Sequence, residues 1–392
     1  MLGPLVVDSS LSIELSAFAA LSLGLVFVGT GNDEVSGNII QAFIDRPATA
    51  LSDSSADFLS LALGLLFMGR GDMCEAVLET LTVVEHPIVA RCALTVEACA
   101  HAGSGSVLLV QKLMGVCGEH HVDEAKAAHQ GAAVVGLAAV AMGESLGAEM
   151  QLRLLDNLLQ YGDLPVRRAV PLAYALLNVS HPQASVIDTL SKLTHDVDEH
   201  VSQNAVLALG LCGAGTNQSR VAGLLRTLSV YYAKEPNHLF LVRVAQGLLH
   251  MGKGLLTLSP FHSDGMLTHA PALASLLVVA FSSLDMPHNV LANRHWLLFF
   301  LSCAMRPRML RTLDADSLKP VAVTVRVGAA VDTVGQAGKP KTITGFQTHS
   351  TPVLLAHGNR AELAGDEYVA LTPVLEGIVL VRKNAAAEAE AK

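Results

Sequence analysis

Aromatic residues are scarce in this chain, and long apolar runs are missing. Phe, Trp and Tyr account for 4% of 392 residues, with a single Trp, while 51% of the chain is hydrophobic. A core of that composition is packed by Ala, Leu, Val and Gly rather than by rings. Apolar runs such as 273–281 and 296–301 fall short of the roughly 20 residues a membrane-spanning helix needs, so no membrane segment is expected. No cluster of basic residues occurs: 26 Lys and Arg face 35 Asp and Glu, for a net charge of −9. That balance argues against nucleic acid, which needs a basic footprint, and suits a partner with a basic face. The six cysteines (Cys74, Cys92, Cys99, Cys117, Cys212 and Cys303) have neither disulfide-framework nor zinc spacing and read as small core residues in a reducing compartment. The first eight residues lack a basic segment, and Asp8 and Glu14 interrupt the apolar stretch, so no signal peptide is expected. Cytoplasm and nucleus are the expected locations.

What the chain does have is a recurring turn. A small residue followed five places later by a turn-forming one occurs at Gly24/Gly29, Gly64/Gly69, Ala98/Gly103, Ala138/Gly143, Ala175/Ser180, Gly210/Gly215 and Gly247/Gly252. The first members are spaced 40, 34, 40, 37, 35 and 37 residues apart, the period of a repeat array. Each unit opens on an Ala/Leu/Gly-rich stretch such as 15–28 or 58–68. A turn follows, then a stretch with apolar residues at helical spacing, such as Val35, Ile39 and Phe43 or Cys74, Val77 and Leu81. The turn glycines supply positive φ at a helix end. Gly24, Gly64, Gly210 and Gly247, inside the first helices, cost about 1 kcal/mol each against Ala. That cost is expected where a neighbouring helix approaches closely. The pattern predicts seven stacked helical hairpins, each with a buried first helix and a half-wet second one. Arrays of this kind chiefly present binding surfaces. The leading helix, with Ile13, Leu15, Phe18 and Leu21, is expected to lack a neighbour on one side.

The expected fold is therefore mainly α: an α-solenoid over residues 10–263, apolar capping helices and a linker over 264–318, a small β domain over 319–384, and a loose tail from 385 to 392. The β reading rests on period-two alternation at Val321, Val323, Val325 and Val327 and on later runs at 341–347, 352–355, 368–371 and 378–382.

Several motifs suggest chemistry, and none has the context it needs. Gly143-Glu144-Ser145-Leu146-Gly147 matches a nucleophile elbow, which requires a strand before it; here it falls on the fourth repeat turn. Cys117, His120, His121 and Asp123 match no zinc spacing and lie in a polar inter-repeat loop. The Gly-x-Gly turns lack a preceding strand and a Gly-Lys-Ser/Thr ending, so no phosphate cradle is supported. No enzymatic activity, cofactor or metal is expected. A hydrolase using Ser145 stays open as a third reading.

The repeat strings 24–32, 61–69 and 77–81, together with 209–217, 241–250, 331–341, 343–349 and 351–358, resemble the proteasome/cyclosome repeat family. That family comprises the large non-ATPase scaffolds of the proteasome regulatory-particle base, and the likeness runs from about residue 10 to residue 384 over their C-terminal part. The resemblance implies a ring-like α-solenoid with no catalytic role. It implies docking to the ATPase-ring subunits and other regulatory-particle subunits, and sites for ubiquitin chains and for ubiquitin-like domains of shuttle receptors. A generic helical-repeat adaptor outside the proteasome is the alternative. The family's N-terminal helical region and early repeats, which should carry its deubiquitinase site, precede the matched part. An acidic insertion carried by some members is reduced here to 118–129.

In that family the receptor site lies on outer helices of consecutive repeats, and three acidic positions land on Glu34, Gln41 and Asp45. The middle one is an amide in this chain. Glu34, Asn38, Gln41 and Asp45 form one stripe at i, i+4, i+7 and i+11, opposite Val35, Ile39 and Phe43. Asp72, Glu75 and Glu79 are expected on the equivalent face of the next unit. An acidic surface over two adjacent helices would suit the basic-rimmed apolar patch of a ubiquitin fold; an ordinary solvated face is the alternative.

Overall fold

The computed structural model describes residues 2–121, 124–331 and 342–384. After a short leading helix α1 (Gly3–Val7), seven inner helices follow one another: α2 (Ile13–Val26), α5 (Asp57–Leu66), α7 (Ile88–Ala100), α9 (Glu124–Ala141), α11 (Leu164–Leu177), α13 (Glu199–Cys212) and α15 (Pro236–Leu249). Outer helices α3 (Asp33–Asp45), α6 (Glu75–Leu81), α8 (Val107–Cys117), α10 (Ser145–Tyr161), α12 (Ala184–Leu193) and α14 (Ser219–Tyr231) alternate with them, and a single turn α4 (Ala48–Leu51) follows α3. Each inner helix packs on the next inner helix, and each outer helix packs on the inner helix that follows it. The result is an α-solenoid with one continuous core. Among the described residues, no helix is long and apolar enough to cross a membrane.

The repeated turn is an inter-unit cap. Gly29 and Gly31 have φ of 64° and 63°, and their N–H groups donate to the Leu65 and Leu66 carbonyls of α5 at 3.0 and 2.9 Å. Gly103 and Gly105 do the same for Ala139 and Val140 of α9, and Gly215 and Asn217 for Leu248 and Leu249 of α15. The last carbonyls of a helix have no partner within it. Here the turn of one unit satisfies those of the next, which is why the motif recurs at the repeat period. Positive φ aims the N–H groups outward across the unit boundary, and glycine takes it without strain.

The mid-helix glycines divide. A Cβ on Gly24 would meet the Ala62 carbonyl oxygen at 2.8 Å, one on Gly64 the Cys99 Sγ at 3.0 Å, and one on Gly210 the Ala245 Cα at 2.7 Å. These are the close helix approaches expected from the sequence. Gly247 is different: nothing lies within 4 Å of its ideal Cβ, because among the described residues α15 is the last inner helix and no further one packs on that face. Gly247→Ala is therefore expected to raise stability by about 1 kcal/mol. A chemical-denaturation midpoint unchanged or lowered would contradict that.

The seventh unit departs from the expected hairpin. Among the described residues there are six helical hairpins and a seventh inner helix. After α15 comes a 3-10 turn, Met251–Gly254, with Gly252 and Lys253 both at positive φ, and then the two-residue strand β1 (Leu256–Thr257) rather than an outer helix. The chain next forms α16 (Ala270–Ser282), buried from Ala272 to Ala280, and α16 packs against α2, α5, α9 and α11. A 3-10 helix, His295–Ala304, follows. Trp296 meets Phe18 of α2 at 5.0 Å between ring centroids, and His295 meets Phe240 of α15 at 6.3 Å. Both ends of the array thus reach this one segment. The edge of α2 is consequently less bare than the sequence suggests: Leu21 is buried and Phe18 sits between Phe58 and Trp296, leaving Leu15 and Val26 exposed.

The β region has its own small core of Leu310, Val323, Val325, Val327, Leu355, Ala361, Leu375, Val379 and Val381. Its strands are β2 (Arg306–Pro307), β3 (Met309–Asp314), β4 (Thr324–Val331), β5 (Thr342–Ser350), β6 (Val353–Leu354), β7 (Asn359–Leu363), β8 (Tyr368–Ala370) and β9 (Ile378–Lys383). One sheet has the order β5-β4-β7, the other β6-β3-β9-β8, and β2 pairs with β1. Strand β3 lies in the stretch expected to be linker, yet it sits inside the second sheet, parallel to β9. A tail at 385–392 lies outside the described residues.

Charged groups join this region to the array. Glu376 Oε2 lies 2.8 Å from His262 Nδ1 and 3.1 Å from Arg306 Nη1, while Oε1 accepts the Ser263 N–H at 2.9 Å. Arg308 donates to the Gly215 and Leu355 carbonyls at 3.1 and 3.3 Å. Beside these groups lies a cavity of about 260 Å³ bordered by Gly143, Ser180, Phe261, Arg306 and His357.

Candidate functional site

Helix α3 begins cleanly, with the Asn32 side chain accepting the Val35 N–H at 3.0 Å. It buries Val35, Ile39 and Phe43. Glu34, Gln41 and Asp45 are exposed on the opposite side, and Gln41 Nε2 donates to Asp45 Oδ1 at 2.7 Å. The fourth member of the stripe, Asn38, is half-buried: its amide stands 3.4 Å from where a Cβ on Gly3 would be, against α1. The end of α3 is pinned by Arg46, which is buried and donates to the Leu11 and Asp8 carbonyls at 3.2 and 3.0 Å and to the Ser16 hydroxyl.

Helix α6 packs beside α3. Its Glu75 and Glu79 are exposed. Asp72 precedes it on the 3-10 turn Gly71–Cys74 rather than on a helix, with its side chain 86% exposed and 3.7 Å from His101 Nε2. Glu34, Gln41, Asp45, Asp72, Glu75 and Glu79 therefore all lie on the open surface of two neighbouring units, and Asn38 is half-buried beside them. Two apolar residues that periodicity assigned to no face stand among them, Ile44 on α3 and Met73 beside Asp72, both exposed. A surface of carboxylates around isolated apolar side chains can receive a basic-rimmed apolar patch.

The other motifs resolve differently. Gly143 ends α9 at φ 86° and Ser145 opens α10, so the elbow is a helix–turn–helix junction without its strand. Cys117 is buried, and burial pushes its thiol up to about 12. His120 sits on Asp163, with Nδ1 2.9 Å from Oδ1, and Asp123 lies outside the described residues. Five cysteines are buried, while Cys303 is exposed.

Comparison with known proteins is consistent with this architecture. A family described as 26S proteasome non-ATPase regulatory subunit RPN1 C-terminal matches residues 334–386. The chain is 52% identical over 383 residues to the 26S proteasome non-ATPase regulatory subunit 2 homolog A of Arabidopsis thaliana, an alignment covering 98% of this chain and 43% of that protein. It is 49% identical over 384 residues to the 26S proteasome non-ATPase regulatory subunit 2 of Dictyostelium discoideum, covering 98% of this chain and 42% of that protein. The chain belongs to the Rpn1 family. A further Rpn1 relative, the 26S proteasome regulatory subunit rpn1 of Schizosaccharomyces pombe, is 48% identical over 387 residues, with 98% of this chain and 43% of that protein covered. The chain spans less than half the length of these Rpn1 relatives. The tail strings that carried the resemblance are partly at 332–341, outside the described residues.

Proposed function

We propose that the chain is a non-catalytic scaffold of the proteasome regulatory-particle base, and that its α3/α6 face docks ubiquitin or ubiquitin-like domains for ubiquitin-dependent protein degradation. Family membership over 98% of the chain carries the reading; the exposed carboxylates on α3 and α6 support the placement of the face. Its partners would be the ATPase-ring and other regulatory-particle subunits, together with ubiquitin chains and shuttle-receptor domains.

Titrating a labelled ubiquitin-like domain against wild type, the double reversal Glu34→Arg with Asp45→Arg, and Gln41→Glu tests the face. Both reversed side chains are exposed, so the fold is expected to persist. The double reversal should weaken binding roughly tenfold or more, since each like-charge juxtaposition costs on the order of 1 kcal/mol. Gln41→Glu should strengthen binding, with a gain that shrinks as salt rises. Equal affinities for all three, with unchanged helical circular dichroism, would return this stripe to ordinary surface.

A further inference from the structure

The segment joining α8 to α9 draws together three side chains with metal-ligating atoms. One such atom each from Glu119, His121 and His129 lies within 4.8 Å of the others. His121 Nε2 is buried without a hydrogen-bond partner and stands 3.4 Å from Glu119 Oε2. The His121 and His129 rings meet edge-on with centroids 5.5 Å apart. Two imidazoles and a carboxylate are a common ligand set for zinc. Bonds of about 2.1 Å to a tetrahedral ion bring ligand atoms to about 3.4 Å from each other, and the Glu119 side chain, 58% exposed, is free to rotate that far inward.

The surroundings hold the first ligands in place. Gln130 Nε2 donates to the Val116 and Glu119 carbonyls at 3.1 and 2.6 Å, clamping the loop from the α9 side. Asp163, the residue preceding α11, accepts the His121 N–H at 3.1 Å, clamping it from the next unit. Outer interactions of this kind fix ligand orientation at metal sites.

We propose that Glu119, His121 and His129 bind a divalent transition-metal ion of the zinc type, with three protein ligands and the fourth position open to water or a partner's side chain. Nitrogen donors favour such an ion over calcium or magnesium, which prefer all-oxygen sets. The ion would give the orphaned His121 nitrogen a partner and would staple the loop at the boundary of the third and fourth units.

The test is Co²⁺ and Zn²⁺ binding to the full chain without a histidine tag, read by the visible absorption of Co²⁺ and its displacement by Zn²⁺. Wild type should bind saturably at one ion per chain. His121→Ala and His129→Ala should each lower affinity by more than the about 10–100-fold that loss of an outer-shell partner costs. Glu119→Gln, a change on an exposed side chain, should weaken binding with circular dichroism and melting of the apo form unchanged. His120→Ala, whose ring points to Asp163, should leave affinity as in wild type. No saturable Co²⁺ or Zn²⁺ binding by the folded wild-type chain would overturn the proposal. So would binding retained by a folded Glu119→Gln, His129→Ala double variant.

Discussion

Gly210→Val is expected to destabilise the array by on the order of 3 kcal/mol or more. A Cβ at this position would lie 2.7 Å from the Ala245 Cα and 2.8 Å from its Cβ, distances at which helix α13 or α15 must move. Overpacking a close-packed core commonly costs about 1–3 kcal/mol, and here the obstructing atom is backbone rather than a mobile side-chain end. The branched side chain adds volume that the helix interface cannot absorb. Ala245→Gly in the same chain should recover only part of the loss, because the clash with the backbone of residue 245 remains. Denaturant midpoints of the two single variants and the double decide it. A Gly210→Val protein as stable as wild type would mean the inner helices are not interlocked at this point. Set beside the gain expected from Gly247→Ala, the pair contrasts one residue type in adjacent inner helices with opposite signs.

Glu376→Ala is expected to cost about 3–5 kcal/mol, the usual result of removing one partner of a buried pair. The Glu376 side chain is 12% exposed and that of Arg306 19%. Arg306 would keep its bonds to the Ser259 and Phe261 carbonyls while its charge lost its carboxylate. Burial by itself would raise the Glu376 carboxyl; hydrogen bonds from His262 and the Ser263 N–H, and the charge of Arg306, outweigh it and hold the group at about 2, below the ordinary 4.5. A depressed pKa gives stability that is fully present above the unfolded value and lost as pH falls through the folded one. Glu376 should therefore contribute about 3 kcal/mol above pH 4.5 that disappears toward pH 2. Limited proteolysis of the 255–267 loop, which this cluster anchors, should show faster cleavage for Glu376→Ala at neutral pH. It should also show a rise in wild-type cleavage between pH 4.5 and 2 that the variant lacks. Equal cleavage of both proteins throughout would mean that the joint does not depend on this carboxylate.

The period of the turns was legible because most of them, at Gly29, Gly69, Gly103, Ser180 and Gly215, perform the same backbone task. Gly29, Gly103 and Gly215 all need positive φ to donate to the next inner helix, and a requirement repeated at fixed intervals leaves a repeated residue. The acidic stripe was legible for a similar reason: helical spacing alone opposes Glu34, Gln41 and Asp45 to Val35, Ile39 and Phe43. What spacing could not convey was that Asn38 is half-covered by α1, that Asp72 sits on a 3-10 turn, or that Ile44 and Met73 stand exposed among the charges. The cluster of Glu119, His121 and His129 was not legible in the sequence for a related cause. His120 and His121 are adjacent in sequence, but only His121 joins Glu119 and His129, because Asp163 holds His120 away.

By itself the sequence determined the local facts: helices with one buried face, turns with left-handed backbone, a change from period 3.6 to period two, and a family likeness spread over the whole chain. These depend on residues close together, where sterics and hydrogen bonding act within a few positions. The tertiary structure decided what depends on distant segments meeting. It turned the expected seventh hairpin into a segment that reaches both α2 and α15, through Trp296 with Phe18 and His295 with Phe240. It placed β3 beside β9 although they are far apart in the chain, and made Arg306, His262 and Glu376 a single cluster. Such meetings join segments far apart in the chain, so they depend on how every packed element is placed and are written in no single stretch of residues.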